Sequence, residues 1–329
     1  MNQSGNSASA EQKRLWTIVL AAGEGTRLQA LTHALHGEAL PKQFARIQGG
    51  RSLLQATLER TSHWSPPERT VIVVSAEREA LARRQVRAVE GVEVVAQPRN
   101  VGTGPGLMLP LCHVLARDPD AVVAVVPSDH YVKDTAPFVE SVRRAEAMAR
   151  ARDTVVLVAA VPNRPETQYG WILTEGTNGN RSVASFHEKP ESAVAERLFA
   201  SGGLWNTFMM VGSARAFWRI ASAHLPVQAM LFGPYRAAIG SVAAGPTLSR
   251  IYRAMPQADF SRDVLERAPD LGVVPLSSCG WSDWGTPERI LDSLRGSADY
   301  DALLGRMEER RESGVFSKRE ATTKGSEAA

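Results

Sequence analysis

At 329 residues the chain can hold one large domain or two modest ones with a sizeable core. Its apolar fraction of 43% and charged fraction of 22% are those of a globular fold, and a net charge of +3, without Lys/Arg blocks interleaved with aromatics, argues against a nucleic-acid surface. Two cysteines far apart, Cys112 and Cys279, argue against a disulfide framework or zinc site, and no run is apolar enough to span a membrane, so the expectation is a cytoplasmic protein with no membrane partner.

Residues 1–14 are polar, unlike a signal peptide, and read as a disordered N-terminus. The first predicted element is a buried strand over 17–21, which runs straight into Gly23-Glu24-Gly25-Thr26-Arg27. Two glycines two apart permit a sharp turn that aims bare N–H groups at an anion, and Arg27 and Lys42 add positive charge at its edges. This reads as a loop for a nucleotide's phosphates; an ordinary strand-to-helix turn is the alternative at this point. A Walker A loop is excluded because no Lys follows the second glycine. A dinucleotide fingerprint is disfavoured because Leu28 stands at the third small-residue position and no acid lies near Gln43, Phe44 or Ala45. The link from Arg27 to Lys42, with His33 and His36 in it, reads as a loop, and nothing completes a zinc site there.

Helix periodicity follows over 52–61 and stops at Trp64-Ser65-Pro66-Pro67. Then come a strand at 71–74, a charged surface helix at 77–88, a strand at 92–96 and a loop at 97–106. Residues 107–116 read as a helix that Pro110 should kink or shorten. The most hydrophobic strand, 121–126, stops at Pro127-Ser128-Asp129-His130, and a helix at 137–150 leads to a strand at 154–161. Such alternation, with near-continuous apolar strands, implies a parallel sheet covered on both faces. Ligands of such sheets sit beyond the carboxyl ends of the strands, so the glycine loop, residues 97–106 and residues 128–130 should face one crevice.

After Pro162 the rhythm changes. Strands at 169–175 and 182–188 around Asn178-Gly179 read as a hairpin. A helix at 191–201, a strand at 206–211, helices at 215–223, 247–254 and 260–267, and a last strand at 272–276 follow, with no internal repeat. Residues 296–329 are charged and rich in small residues, and read as a loose helix fading into a disordered tail.

Asp129, just past an apolar strand, is placed to hold a hard divalent cation such as Mg²⁺; a helix cap or turn is the plainer reading. Asp283 lies between Trp281 and Trp284, whose rings serve either core packing or ligand stacking. Glu188 and Lys189 put an acid and a base at a strand end, or form a solvated pair, and Asn206 offers an amide to a sugar hydroxyl or begins a strand. His130 reads as positional, and no Ser or Cys lies in a nucleophile elbow. A phosphate loop, a mobile lysine and two aspartates without a covalent nucleophile suit direct in-line displacement at phosphorus.

The segments LAAGEGTRL, PKQF, SLLQATLER, VVPSDH, YGWI, FHEKP, LWNTFMMV, FSRDVLE and GWSDWGTPE stand in the order and spacing of one family. The chain resembles the sugar-1-phosphate nucleotidyltransferases, and within them those that join GTP to mannose 1-phosphate. The resemblance implies an α/β fold, a Rossmann-like mixed, mainly parallel sheet flanked by helices with an inserted β-hairpin. It implies a nucleotide-binding part over about 15–161, a sugar-phosphate-binding part over about 162–295, together one domain over 15–295, and a polar tail over 296–329. The implied reaction is Mg²⁺-dependent attack of a sugar-1-phosphate oxygen on the nucleotide α-phosphorus, expelling pyrophosphate. Alternatives are a UTP-, dTTP- or CTP-using enzyme on another sugar phosphate, or a sugar-nucleotide sensor without turnover.

By the same resemblance, Ala21, Ala22, Gly23, Gly25, Thr26 and Arg27 hold the triphosphate, and Lys42 steadies the transferring phosphate. Asp129 and Asp283 hold the metal. Gln97, Asn100, Gly102 and Thr103 bind base and ribose, and Tyr169, Gly170, Glu188, Lys189 and Asn206 bind the sugar and its phosphate. Three departures bear on specificity: a longer Arg27–Lys42 link, a glycine-rich loop after the third strand, and Asn206-Thr207-Phe208 where the family has Asn-Ser-Gly. The length leaves no room for the isomerase domain some relatives carry, so no second activity is expected; a homo-oligomer is left open.

Overall fold

The computed structural model describes residues 15–176 and 181–312. Its centre is the strand β1 (Trp16–Leu20), buried along nearly its whole length and apolar but for Thr17 because both of its faces are covered. It pairs in parallel with β2 (Thr70–Ser75) on one side and β4 (Val122–Pro127) on the other, with Ile18 opposite both Val71 and Val125. β3 (Glu93–Gln97) extends the parallel run beyond β2. These are the strands the sequence predicts.

The second half departs from a wholly parallel sheet. β8 (Leu204–Ser213) runs antiparallel between β4 and β5 (Val156–Ala160), while β9 (Gly272–Pro275) returns parallel to β5. The hairpin strands β6 (Trp171–Glu175) and β7 (Arg181–His187) are present, though the Asn178-Gly179 turn lies outside the described residues. The nine strands lie in the order β3-β2-β1-β4-β8-β5-β9-β7-β6. β6 also pairs with the start of β8, so β8, β5, β9, β7 and β6 close into a ring beside the parallel half. The β5–β8 register slips between Val158 and Ala159, leaving Thr207 and Phe208 as a bulge.

Helices cover both faces. α2 (Leu53–Thr61) starts at a capping box, with the Ser52 and Gln55 side chains each satisfying the other's backbone N–H. With α3 (Glu79–Val86) and α5 (Thr135–Arg152) it packs on one face, through Leu54, Leu58, Ala82, Val86, Val142 and Ala145. The other face carries α4 (Thr103–Arg117), which runs for 15 residues straight through Pro110. The expected shortening does not occur, because Leu107, Leu109 and Leu111 are at 0–1% exposure and core packing holds the helix where propensity would end it. After α6 (Ser192–Ala200) and α7 (Ala214–His224) comes a helix not foreseen in the sequence, α8 (Pro226–Ala238), and then α9 (Ala244–Ala254). The segment expected as a helix over 260–267 is a π-helical turn, Ser261–Leu265. Both cysteines are buried and free, and no helix among the described residues is long and apolar enough to cross a membrane.

The Arg27–Lys42 link corrects a second expectation. It is not a loop: α1 (Gln29–His36) fills most of it and ends at Gly37 in a left-handed conformation. Leu28, Leu31 and Leu35 place one face of α1 in a small separate core with Tyr131, Trp284, Ile290 and Leu294. α10 (Pro287–Leu294) and α11 (Ala298–Glu312) complete that core through Leu303, which is 1% exposed. Asp299 accepts a bond from Gln48, and Arg306 donates to the carbonyls of Arg46 and Ile47, so the helix beyond Gly296 is docked rather than loose.

Candidate active site

The crevice lies where the carboxyl ends of β1, β3 and β4 meet. Gly25, at φ +61°, turns the first loop; a β-carbon there would come within 2.8 Å of the Lys42 nitrogen, so this glycine serves both a left-handed turn and a close chain crossing. Gly23 has open space about it and lines the crevice. The loop is held from behind by a residue the sequence reading passed over. Gln43 donates its amide N–H to the carbonyls of Ala21, at 2.9 Å, and Gly23, at 2.7 Å. No hydrogen bond among the described residues takes up the N–H of Ala22 or Gly23.

Ala22 and Gly23 form one wall of a cleft of ≈ 390 Å³ whose other walls are Gln97, Asn100, Gly102, Thr103, Asp129 and His130. Gly102 has φ +91°, and a β-carbon on it would overlap the Ala258 carbonyl oxygen. The Gly104 N–H donates to that oxygen at 3.0 Å and the Phe260 N–H donates to Thr103 Oγ1 at 2.7 Å, so the π-helical segment is tied to the start of α4. Gln97 is buried, and its Oε1 has no partner among the described residues. Gln97 also lines the cleft, so an unpaired acceptor lies buried in its wall.

A second cleft of ≈ 200 Å³ adjoins the first. Tyr169, Gly170, Glu188, Lys189 and Asn206 all line it, with Arg27, Asp283, Ser261 and Trp281. A β-carbon on Gly170 would come within 2.7 Å of Glu188 Oε2, so glycine lets this carboxylate reach the wall. Burial pushes the Glu188 carboxyl up, and Asp259 and Glu266 add to this against Lys189, which pairs with it at 3.3 Å. Of the expected site residues, Thr26 and Lys42 line neither cleft, and Ala21 and Gly25 act behind the wall through backbone contacts.

The two clefts share His130 and Phe208, and the charged groups collect at this joint. A short bridge between Tyr131 and Ser282 draws the loop after β4 against the loop that carries Asp283. Lys42 spans the gap: its ammonium lies 3.0 Å from Asp129 Oδ2 and donates to the Asp283 backbone carbonyl. The compact α1 thus fills the longer link, and Lys42 follows it into contact with Asp129. Burial alone would raise the Asp129 carboxyl, but Lys42 and His130 outweigh it and hold it below the usual carboxylate range. Burial also lowers His130, which accepts a bond from Trp281 Nε1 at 3.3 Å.

Asp283 is held more elaborately than the sequence suggests. Its Oδ1 accepts from the Tyr169 hydroxyl at 2.6 Å, the Gly285 N–H at 3.0 Å and Arg289 at 2.9 Å. Arg289 also pairs with Glu166 and lies over the Tyr169 ring at 4.8 Å. These donors overcome the burial that would raise the Asp283 carboxyl, which stays low. Arg289 reaches Asp283 from six residues along the chain, whereas Glu166 joins the pair from a segment 123 residues away, which no local pattern reveals.

Two carboxylates held low, one on each of the adjoining clefts, have the chemistry that suits a hard divalent cation. Asp129 Oδ1 has His130 Nε2 no nearer than 3.9 Å, and Asp283 Oδ2 accepts from Arg289 at 3.1 Å, so each retains lone pairs for such an ion. No group of three or more His, Cys, Asp or Glu suited to a metal occurs among the described residues, so the remaining ligands would be phosphate or water oxygens.

An α/β sheet with a glycine turn at the end of its central strand and two adjoining clefts, joined through a lysine and two carboxylates, has the layout of folds whose ligands sit beyond the strand ends. The sequence model of the nucleotidyl transferase family matches residues 16–299, and the chain belongs to that family. It is 29% identical over 299 residues to mannose-1-phosphate guanylyltransferase RfbM of Salmonella typhimurium, covering 88% of this chain and 60% of that protein. It is also 29% identical over 282 residues to the xanthan biosynthesis protein XanB of Xanthomonas campestris, covering 84% of this chain and 58% of the relative. The chain thus spans less than two thirds of the length of these curated relatives. Among solved structures, one from Thermus thermophilus described as a mannose-1-phosphate geranyltransferase superposes with a TM-score of 0.76 at 27% identity, covering 86% of this chain and 80% of that one.

Proposed function

We propose that this chain transfers a nucleotidyl group from GTP to mannose 1-phosphate, giving GDP-mannose and pyrophosphate. The observation that carries the proposal is the joint: Lys42 and two ionised aspartates stand where a cleft with a phosphate loop meets one lined by Tyr169, Glu188, Lys189 and Asn206. The names of the relatives support the choice of GTP and mannose.

In this reading the Ala22–Gly23 backbone and Arg27 hold the triphosphate, and Gln97, Asn100, Gly102 and Thr103 hold base and ribose. Tyr169, Gly170, Glu188, Lys189 and Asn206 hold the acceptor, with Lys189 on its phosphate. An acceptor phosphate oxygen forms a bond to the α-phosphorus as the bond from that phosphorus to the bridging oxygen of pyrophosphate breaks, and pyrophosphate leaves with the electron pair. Lys42 exchanges its contact with Asp129 for the α-phosphate and neutralises the charge that gathers there. Asp129 and Asp283 would hold Mg²⁺, which supplies further charge neutralisation when bound. Positioning and electrostatics account for the chemistry, so no side chain forms a covalent intermediate.

The test is pyrophosphate release across nucleoside triphosphates and sugar 1-phosphates. Turnover with GTP and mannose 1-phosphate, abolished by chelation and restored by Mg²⁺, is expected. Turnover with another pair alone refutes the specificity and keeps the class. Sugar-nucleotide binding by calorimetry with no release from any pair refutes the enzyme in favour of a sensor.

A further inference from the structure

The β8 bulge carries a feature that the proposed chemistry does not use. Phe208 has φ +57°, in the left-handed region where a bulky side chain is an outlier and glycine is at home. The conformation is pinned on both sides. The Phe208 N–H donates to Asn206 Oδ1 at 3.0 Å, the Met209 N–H donates to Thr207 Oγ1 at 3.1 Å, and the Thr207 hydroxyl donates to the Val158 carbonyl. The ring leans on Phe260, which is fully buried, with centroids 6.3 Å apart at an interplanar angle of 73°. Phe260 is itself fixed by its N–H bond to Thr103 at 2.7 Å. A strained residue persists where its surroundings over-determine it, and such residues cluster at ligand sites. Phe208 fits that pattern, since it lines both clefts.

We propose that Phe208 is a specificity-determining residue that admits an acceptor with a small substituent at C2 and excludes one with an acetamido group there. The proposal rests on the transferase reading. In that reading the acceptor phosphate lies at the joint that Phe208 lines, so C1 and its two ring neighbours come beside the ring, and of those neighbours C2 carries a substituent while the ring oxygen carries none. A ring fastened to the core at Phe260 cannot swing aside at small cost, so the space beside C2 is fixed. A hydroxyl fits that space and an acetamido group collides with the ring. The sequence marks Phe208 as a departure that bears on specificity, and the bulge adds the strain and the ring's place on both clefts.

The test compares wild type, Phe208→Ala and Phe208→Gly by pyrophosphate release with mannose 1-phosphate and with its 2-acetamido-2-deoxy analogue. The quantity read is the ratio of kcat/KM for the two acceptors. Wild type should favour the unsubstituted sugar by about a hundredfold, and both variants should lower that ratio at least about tenfold, mainly through KM for the acetamido sugar. Phe208→Gly should also melt above Phe208→Ala, because glycine relieves the left-handed strain while alanine retains it. A ratio unchanged in both folded variants, or a wild type that takes the two sugars equally, overturns the proposal while the transferase reading stands. Release of no pyrophosphate from any pair by wild type overturns both.

Discussion

Replacing Lys42 with methionine removes the ammonium and keeps the length and apolar stem of the side chain, so it isolates the charge. The Lys42 side chain is 6% exposed and its partner Asp129 36% exposed, which makes this a half-buried ion pair. Breaking an exposed pair costs about 0–1 kcal/mol and a fully buried one about 3–5 kcal/mol, so about 2 kcal/mol of stability should be lost. For a chain of this size that lowers Tm by about 3 °C. Turnover should suffer more. Loss of one preorganised charge stabiliser lowers kcat by about 100- to 1,000-fold, or about 2.7–4 kcal/mol of barrier. The two effects have different pH behaviour. Asp129 ionises below its ordinary range, so its contribution to stability is present above the unfolded value and is lost as pH falls through the folded one. The Tm gap between Lys42→Met and wild type should therefore close in acid, while the kcat deficit persists at neutral pH. Steady-state pyrophosphate release and thermal unfolding from pH 3 to 8 measure both. A kcat within about threefold of wild type, with Tm lowered as expected, would show that Lys42 merely neutralises Asp129 and would refute its catalytic role.

Gly102→Ala should destabilise the fold by about 2–4 kcal/mol, from left-handed strain together with overlap on the Ala258 carbonyl, as read by denaturant unfolding. Leu303→Ala should cost about 2–5 kcal/mol, because Leu303 is 1% exposed in the core that joins α11 to α1; an unchanged midpoint would mean that α11 is dispensable. Glu188→Gln bears on pH. The folded Glu188 carboxyl is raised by burial, so its contribution is fully present below the unfolded value and is lost as pH rises through the folded one. The variant should melt at or above wild type at neutral pH, lose that advantage in acid, and bind the acceptor more weakly; a constant Tm difference across the range would count against the buried-carboxylate assignment.

The parallel half of the fold is readable from residues because β4 is apolar on every position and β1 on all but Thr17, a near-continuous run that coverage of both faces explains. Strand-end logic then brings the glycine loop, Gln97 and Asp129 together, as the first cleft bears out. Strand direction in the second half is a different matter. β8 looks like any apolar strand, and nothing local states that it runs antiparallel between β4 and β5. α1 carried a helix signal in the spacing of Leu28, Leu31 and Leu35, masked by reading the histidines of that stretch as loop residues. α8 was hidden by Gly233 and Pro234, which weaken helix propensity but are tolerated once Phe232 and Tyr235 are buried. In the site, Asp283 stands out in its motif and Arg289 lies six residues beyond it with no pattern to mark the pairing, whereas Glu166 joins them only through a contact distant in sequence.

The insertion of β8 also constrains how the chain reaches this state. β4 finishes at Pro127, yet the strand that covers its open edge ends at Ser213, so a chain emerging from synthesis carries an unpaired, apolar edge until the later segment arrives. β5 likewise waits for β8 on one edge and β9 on the other. Closure depends on pairings between residues far apart in sequence, which slows folding relative to a sheet built from neighbours. The strand that lends Asn206 to one cleft and Phe208 to both is thus also the closing piece of the central sheet. Assembly of the two clefts and completion of the fold become a single late event, and a chain interrupted before β8 would present a sticky edge rather than a smaller working unit.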